Sequence, residues 1–241
     1  MQESSFLDPV FKRWGRRGAI SDEDKRALIA LPWYRKSYPR DGYMVREGEP
    51  ATVCTLLITG FAFRQKLVSD GARQIISFHI PGEFLDIQNS MLEVADHNLQ
   101  SLTRSTVALV SRNALSDLMA SRPAIRRALW LDSLVDSSIF REWVVNVGRR
   151  DARTRIAHLL CELAARLKSA GIADGEMFDF PLTQEQVGDA TGLTAVHTNR
   201  TLQSLRKEGL ISLSSNRLSI LDWDALTEVG DFNERYLHHS V

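Results

Sequence analysis

The chain has 241 residues, of which 44% are hydrophobic and 25% charged, as is usual for a folded protein of one or two domains. The formal net charge is zero, so overall charge gives no argument for a nucleic-acid partner. No apolar run approaches membrane-spanning length, and the first nine residues lack the apolar core of a signal peptide. The two cysteines, Cys54 and Cys161, are far apart in sequence. We therefore expect a cytoplasmic protein with free thiols and no membrane association.

The N-terminal part is predicted to be one helix followed by short strands. Ser21 and three acidic residues after it form an N-cap and first turn, and Pro32 ends this helix near Ala30. Beyond Tyr38, glycine signals separate short apolar or alternating runs, and Asp70-Gly71 is a strong hairpin signal. The predicted strands are residues 43–45, 53–58, 61–67, 74–79 and 107–111. This spacing predicts a small all-β roll or barrel.

The middle of the chain is predicted to be helical, with a short helix over 114–120 and a longer one from Pro123 to about residue 147. An apolar stripe follows the longer helix, formed by Ile125, Leu129, Val135, Ile139 and Trp143. Either its own domain or the same helix of a second subunit must cover this stripe. We favour the second subunit, since two-fold dimers are the commonest oligomers. Gly148 interrupts the pattern and is a hinge candidate, and a further helix follows over 151–168.

Residues 183–211 have the features of a helix-turn-helix. Thr183 and Gln186 fit a capping box, and Gly192 suits a sharp turn. Thr194 can cap a second helix over 195–208, which Gly209 ends. Two short helices joined by a glycine turn are typical of DNA-binding proteins, although a hairpin that only packs against its own domain is the alternative.

The exposed face at the start of the second helix carries side chains that suit DNA. Arg200 can bond guanine bidentately, and Asn199 can bond adenine. Four basic residues and one acidic residue between positions 193 and 217 give a modest basic patch. Residues 210–213 and 217–221 flank Ser214-Ser215-Asn216 and predict a β-hairpin wing, which follows a polar loop over 169–179 and precedes a last helix near 223–229.

In this order of elements, the chain resembles the Crp/Fnr family of bacterial transcription regulators over roughly residues 38–226. The residues that carry the resemblance are Gly42, Glu47-Gly48, Gly60, Asp70 to Ile75, Pro81-Gly82-Glu83-Phe84, Asp151 to Ala157 and residues 182–211. The resemblance implies an α+β protein with a double-stranded β-helix, or jelly roll, of the cyclic-nucleotide-binding type over residues 1–121. A dimerisation helix and hinge over 122–148 and a winged helix-turn-helix over 149–241 would follow.

The resemblance also implies a function. The chain would be a sequence-specific transcription regulator that binds a palindromic site on double-stranded DNA as a homodimer and contacts RNA polymerase. The base-reading positions of the family fall on Ala195, Val196, Asn199 and Arg200. Arg200 matches the family's recurrent base-contacting arginine, whereas Val196 replaces a glutamate of the best-known members, so their half-site sequence does not carry over. Candidates for phosphate contacts are Thr183, Gln184, Thr194, His197 and Lys207, although helix capping already accounts for the threonines.

The effectors of the best-known members are not expected here. Cyclic-nucleotide binders hold the ribose with a Gly-Glu pair and the phosphate with an Arg-Ser pair, but these positions read Asp86-Ile87 and His97-Asn98, and Asp86 would repel a phosphate. Two cysteines cannot supply the four thiolates of an iron–sulfur cluster. The haem ligand positions read Asp86 and Gln88.

The sequence leaves open whether the roll binds an unidentified small molecule or serves as a scaffold. His79 is expected to be packed or at the surface rather than a ligand. Cys54 is a better candidate for a redox-active thiol than Cys161, which lies on a helix core face. A ligand-binding module that uses its winged helix for protein contacts is the alternative function. No nucleophile–base constellation, phosphate loop or metal-ligand spacing indicates an enzyme.

Overall fold

A computed structural model describes residues 6–18, 20–173 and 177–239. The chain forms two compact units. The first contains the residues up to Lys66 together with Ser77–Ser137, and the second contains Leu67–Ile76 together with Ser138–His238. No helix in the described ranges is long and apolar enough to span a bilayer.

The strands of the N-terminal half form two sheets of a roll. One sheet has the order β1-β7-β3 and the other the order β2-β6-β4-β5. In the first sheet β7 pairs antiparallel with both neighbours, placing Ala108 between Arg35 and Leu56. The strands are β1 (Tyr34–Tyr38), β2 (Tyr43–Val45), β3 (Val53–Thr59), β4 (Ala62–Leu67), β5 (Arg73–His79), β6 (Asn98–Ser101) and β7 (Ser105–Ser111).

Helices close the core of the first unit. They are α1 (Asp8–Arg17), α2 (Asp22–Ile29), α3 (Arg112–Ser121) and the first half of α4 (Pro123–Arg149), and a 3₁₀ helix covers Ile87–Ser90. Residues of α1 and α4 share one apolar cluster with the strands, in which Val10, Leu56 and Ile125 are fully buried. Removing such side chains from water is the main source of stability for this unit.

The second unit is built around α5 (Ala152–Ala170), whose residues from Ile156 to Leu167 are all buried. It also contains β8 (Met177–Asp179), α6 (Gln184–Thr191), α7 (Ala195–Lys207), β9 (Ile211–Ser214), β10 (Arg217–Ile220) and α8 (Trp223–Val229), with a 3₁₀ helix at Glu234–Leu237. The three strands form an antiparallel sheet in the order β8-β10-β9.

The fold class is the predicted α+β arrangement of roll, long helix and helix-turn-helix, but several elements differ from the sequence prediction. Strands β1 and β6 and helix α1 were not predicted. Strand β8 lies inside the predicted loop 169–179, of which residues 174–176 fall outside the described residues. Helix α4 continues through Gly148 to Arg149, so Gly148 does not interrupt the helix, and the break between α4 and α5 is at Arg150 and Asp151.

The apolar stripe assigned to a partner helix needs a correction. Within the single chain, Ile125 is 0% exposed, Leu129 1%, Ile139 8% and Trp143 6%. Val135 is half-buried. These side chains therefore pack against their own chain and do not form an open dimer surface. The apolar residues that α4 exposes are instead Trp130, Leu134, Phe140, Val144 and Val145.

Both cysteines are buried free thiols. Burial raises the pKa of Cys54, and the nearby Asp86 raises it further. Burial also raises the pKa of Cys161, to about 12. Both side chains are therefore protonated near neutral pH and shielded from reagents, so the preference for Cys54 as a redox-active thiol is not supported.

Candidate DNA-binding surface

Helix α6 begins with the predicted capping box. The Thr183 hydroxyl accepts a hydrogen bond from the Gln186 amide at 3.1 Å, and the Gln186 side chain accepts one from the Thr183 amide at 3.0 Å. Two backbone donors of the first turn are thereby satisfied. Val187 and Ala190 are buried, so α6 is anchored to the unit by its inner face.

Two glycines set the turn between α6 and α7. Gly192 ends α6 with φ +68°, the left-handed conformation that glycine adopts without steric cost. Gly188 has a different role, because a Cβ there would lie 2.4 Å from the carbonyl oxygen of Leu193. Only a residue without a side chain allows α6 to approach the following turn so closely.

Helix α7 has a buried inner face and an open outer face. The Thr194 hydroxyl caps it by accepting a hydrogen bond from the His197 amide at 3.2 Å. Thr198, Thr201, Leu202 and Leu205 are buried. Val196 is 63% exposed although it is apolar, and Ala195 and Arg200 are also exposed. Asn199 is half-buried. The four predicted base-reading residues therefore lie together on the open side of the first two turns.

The open face extends beyond the predicted residues to Gln203. At about 100° per residue, Val196, Arg200, Gln203 and Lys207 fall within one narrow stripe of the helix. All four are exposed. Among the described residues, neither Arg200 nor Gln203 has a side-chain hydrogen bond or ion pair, and the same holds for Asn199. The spacing of four and seven residues from Val196 would have identified Gln203 in the sequence.

The outer face of α7 carries positive charge from Arg200, Arg206 and Lys207, and the acidic residue that follows the helix is paired with α5. Glu208, which follows α7, forms an ion pair with Arg153 of α5 and accepts a hydrogen bond from the Ser204 hydroxyl at 2.7 Å. Arg206 and Lys207 are exposed in the last turn of α7. The cations of α7 are therefore available to an anionic ligand such as a phosphate backbone.

The wing is a tight hairpin between β9 and β10. Its tip, Ser215 and Asn216, has φ values of 51° and 60°. Two consecutive residues with positive φ are the signature of a two-residue hairpin turn whose twist matches the strands. Strand β8 pairs with the other side of β10, with Phe178 opposite Leu218. The sheet holds the wing against the core through Leu218, which is fully buried.

The five predicted phosphate-contacting residues all lie at the surface. Thr183 and Gln184 are exposed at the start of α6, Thr194 and His197 at the start of α7, and Lys207 at its end. The two threonine hydroxyls are already acceptors in helix caps, as expected from the sequence. Each hydroxyl keeps its own proton, which a phosphate oxygen could accept.

Residues 67–76 belong to the same compact unit as the helix-turn-helix and contact its first helix. The Arg73 guanidinium forms an ion pair with Asp189 of α6 at 2.7 Å. The Gln74 amide donates to the backbone carbonyl of Asp189 at 2.6 Å. The position of α6 is thus supported from a part of the chain more than a hundred residues away.

The positions to which the family resemblance assigns nucleotide contacts are occupied by side chains that form hydrogen bonds within the chain. Asp86 is 1% exposed and accepts hydrogen bonds from the Thr55 amide at 2.6 Å and the Thr55 hydroxyl at 2.7 Å. Burial raises the pKa of Asp86 to about 6. His97 lies 2.6 Å from Asp96, and Asn98 accepts from the Glu47 amide at 3.1 Å. The Asp86 carboxylate and the Asn98 side-chain oxygen are therefore engaged within the chain.

His79 is also internally bonded. It is 3% exposed and lies 2.9 Å from the Ser77 hydroxyl and 3.2 Å from the Glu83 carboxylate. Burial lowers its pKa, so it is neutral near pH 7. Within the described ranges, no three His, Cys, Asp or Glu side chains are grouped so that they could hold a metal ion.

A β roll, one long helix and a winged helix-turn-helix with an open basic face define a class of DNA-binding regulators. Comparison with known families agrees with this assignment. The family model for a Crp-like helix-turn-helix domain matches residues 154–229, and that for a cyclic nucleotide-binding domain matches residues 35–122. Together the two models cover most of the chain between these limits.

Similar proteins include named regulators. The transcriptional activator protein FnrL of Cereibacter sphaeroides is 27% identical over 218 residues, which are 88% of this chain and 87% of the relative. The nitrogen fixation regulation protein FixK of Azorhizobium caulinodans is 26% identical over 213 residues, covering 87% and 85%. The structure of FixK2 from Bradyrhizobium japonicum has a TM-score of 0.77 at 26% identity and covers 83% of this chain and 98% of that one. The chain belongs to the Crp/Fnr family and is a DNA-binding transcription regulator.

Proposed function

We propose that the protein binds a two-fold-symmetric DNA site as a homodimer and reads each half-site with the outer face of α7. The observation that carries this proposal is the stripe of exposed side chains without partners, Val196, Arg200 and Gln203, beside the half-buried Asn199. An arginine can pair with guanine, an amide side chain with adenine, and an exposed valine can contact a thymine methyl group. Ala195 lies beside them at the helix start, where its small side chain permits close approach to the bases.

The dimer is proposed to form along the exposed apolar face of α4. Trp130 is 65% exposed, Leu134 47%, Phe140 49% and Val144 55%. Trp130 also borders an apolar groove of about 590 Å³ that Met91 and Met119 help to line. Water contact with such a face is unfavourable, and a second copy of the same helix would cover it in a closed, symmetric way. Spacing between half-sites of about one helical turn of DNA would match such a dimer.

The proposed phosphate contacts come from Thr183, Gln184, Thr194, His197 and Lys207, which surround the reading face at both ends of α7 and at the start of α6. Such contacts position the protein without specifying sequence. We further propose that the protein acts in the cytoplasm by recruiting or blocking RNA polymerase, without catalytic activity of its own. We also propose that cyclic AMP, haem and iron–sulfur clusters play no part. Support comes from Asp86, whose carboxylate is bonded to Thr55, and from the two buried cysteines.

Selection of bound sequences from a random DNA pool tests this function. We expect a two-fold-symmetric consensus and, for the selected site, a steep fall in affinity with salt. Replacement of Arg200 with Ala should lower the affinity for that site by about tenfold or more. Arg26→Ala, which removes an exposed arginine from α2, serves as the control and should bind normally. Equal binding by Arg200→Ala and the wild type would show that α7 does not read DNA in this way.

A further inference from the structure

The carboxylate of Asp132, on α4, accepts hydrogen bonds from three side chains of α1. Asp132 accepts hydrogen bonds from Arg13 Nη2, Trp14 Nε1 and Arg17 Nη1, each at 2.8 Å, and a longer one from Arg13 Nε at 3.2 Å. Its side chain is only 12% exposed, and that of Arg17 only 8%. Charge-assisted hydrogen bonds with this geometry are the stronger kind, so Asp132 is a fixed attachment point.

Helix α1 is itself anchored in the roll. Val10 is fully buried and Trp14 is 2% exposed. Pro9 lies so close to the turn at Gly82 that a Cβ on Gly82 would stand 2.7 Å from the Cβ of Pro9. Arg13 also donates to the carbonyl oxygen of Gly82. Helix α1 thus bridges the Pro81–Gly82 turn of the roll and Asp132 of α4.

A second carboxylate on the same face of α4 is held by the roll directly. Asp136 lies one helical turn after Asp132 and pairs with Arg64 of β4. Arg64 is 8% exposed and also donates from Nε and Nη2 to the carbonyl oxygen of Leu85, at 2.8 and 2.7 Å. Two arginine-based contacts, spaced four residues apart, therefore fix both the position and the rotation of the first half of α4.

An effector acts by interacting more favourably with one of two arrangements of a protein. Here, side chains of the same chain already supply such an interaction between the roll and α4. Helix α4 is continuous from Pro123 to Arg149, and its later residue Trp143 donates a hydrogen bond to Glu162 of α5.

We infer that α1 is a built-in latch: Arg13, Trp14 and Arg17 bind Asp132 and hold the first half of α4 in place, so that the protein binds DNA without a bound effector. These residues are positioning residues and do not contact DNA. The inference rests on the proposed function, because DNA affinity is its main readout. A helix that only stabilised the fold would change the unfolding midpoint and leave the affinity of the folded protein unchanged.

The test compares two double variants of the full chain with equal loss of charge. Arg13→Gln/Arg17→Gln removes both ion pairs with Asp132. Lys12→Gln/Arg26→Gln removes two exposed cations, one of α1 and one of α2, that are not among the hydrogen-bond partners of Asp132. DNA affinity for the selected site is measured with purified protein, without added small molecules and well below each unfolding midpoint. Hydrogen exchange of residues 123–137 is measured in the absence of DNA.

The wild type and the control pair should bind equally without additives, and the latch variant should bind about tenfold more weakly, within the usual range of coupling between sites. Its exchange over residues 123–137 should be faster. Should the latch variant fail to fold, Asp132→Asn, which keeps one acceptor oxygen, takes its place with the same expectation. Unchanged affinity and exchange would overturn the inference, as would wild-type binding that requires cell extract. If the wild type bound no DNA sequence at all, the proposed function would fail, while the exchange comparison would still decide whether α1 holds α4.

Discussion

Trp143, near the end of α4, donates its indole N–H to the carboxylate of Glu162 on α5 at 3.0 Å, and Glu162 is completely buried. The same carboxylate accepts hydrogen bonds from the Tyr236 hydroxyl at 3.0 Å and from Arg166 at 3.1 Å. Three segments of the second unit thus meet at one buried charge. Burial of a charged side chain is tolerated only if such partners replace its water, so this cluster holds the later part of α4 against the middle of α5.

Substitution of Glu162 should therefore destabilise the second unit strongly. Glu162→Gln removes the buried charge that accepts hydrogen bonds from Trp143, Arg166 and Tyr236, and we expect a loss of about 3 kcal/mol in the free energy of unfolding. Tyr236→Phe removes one hydrogen bond and should cost about 1 kcal/mol. Urea unfolding measures both, with the exposed Glu228→Gln as a control that should change little. If Glu162→Gln cost no more than the control, the cluster would not be an anchor.

His158 lies beside this cluster and should make stability depend on pH. Its Nδ1 is 3.0 Å from the Gly230 carbonyl oxygen, so Nδ1 carries the proton of the neutral ring. Burial lowers the pKa of His158, and the nearby Arg150 lowers it further, against the opposing charges of Glu162 and Glu142. As pH falls through the ordinary histidine value of 6.5, the unfolded chain binds a proton that the folded chain does not. The free energy of unfolding should therefore decrease on acidification.

The contribution of His158 is measured as the difference between the pH profiles of unfolding of the wild type and of a variant without this histidine. His158→Gln should reduce the acid-side slope by up to about 1.4 kcal/mol per pH unit between pH 7 and 5.5. Asp86 acts in the opposite direction, because its pKa is raised to about 6 and its contribution is lost as pH rises through that value. Asp86 is unchanged in the variant, so its contribution cancels when the two urea series are subtracted. Parallel pH profiles for wild type and variant would contradict the assignment of His158.

The helix-turn-helix was predictable because its signals are local. Thr183, Gln186, Gly192 and Thr194 are caps and turns read from neighbouring residues, and the structure contains each of them. The buried stripe of α4 could not be predicted in this way. Helical periodicity does not show which of two apolar stripes on a helix packs within its own chain. Ile125 and Trp130 both fit helical spacing, yet only Ile125 is buried.

Helix α1 shows a second limit of the sequence. Leu7, Val10 and Trp14 have helical spacing and a proline near the start, so a signal for the helix was present. Its partner Asp132 is more than a hundred residues away, and no local pattern connects them. Gly188 is similar, because its need for a missing side chain comes from the Leu193 carbonyl in the folded turn.

Alanine substitutions at two glycines test two different roles, which are close packing for one glycine and a hinge for the other. Gly188→Ala would push a methyl group against the Leu193 carbonyl oxygen, and we expect a loss of about 1–3 kcal/mol and weaker DNA binding. Gly148 is in α4 with open space around it, so Gly148→Ala should stabilise the helix by about 0.5–1 kcal/mol. Thermal unfolding and DNA titration distinguish the two variants. If Gly148→Ala lost DNA affinity without losing stability, the result would support the prediction that Gly148 is a hinge.

We predict that the exposed apolar face of α4 is the dimer interface. If a second copy covers it, Leu134→Asp brings two carboxylates together at the symmetric seam and should convert the dimer to a monomer of 27.2 kDa. Specific DNA affinity should fall as well, since each half-site is then bound independently. Ile29→Asp is the matched control, because Ile29 of α2 is an equally exposed apolar residue at 45%. Sedimentation equilibrium decides the outcome: a dimer that persists in Leu134→Asp would place the interface on another surface.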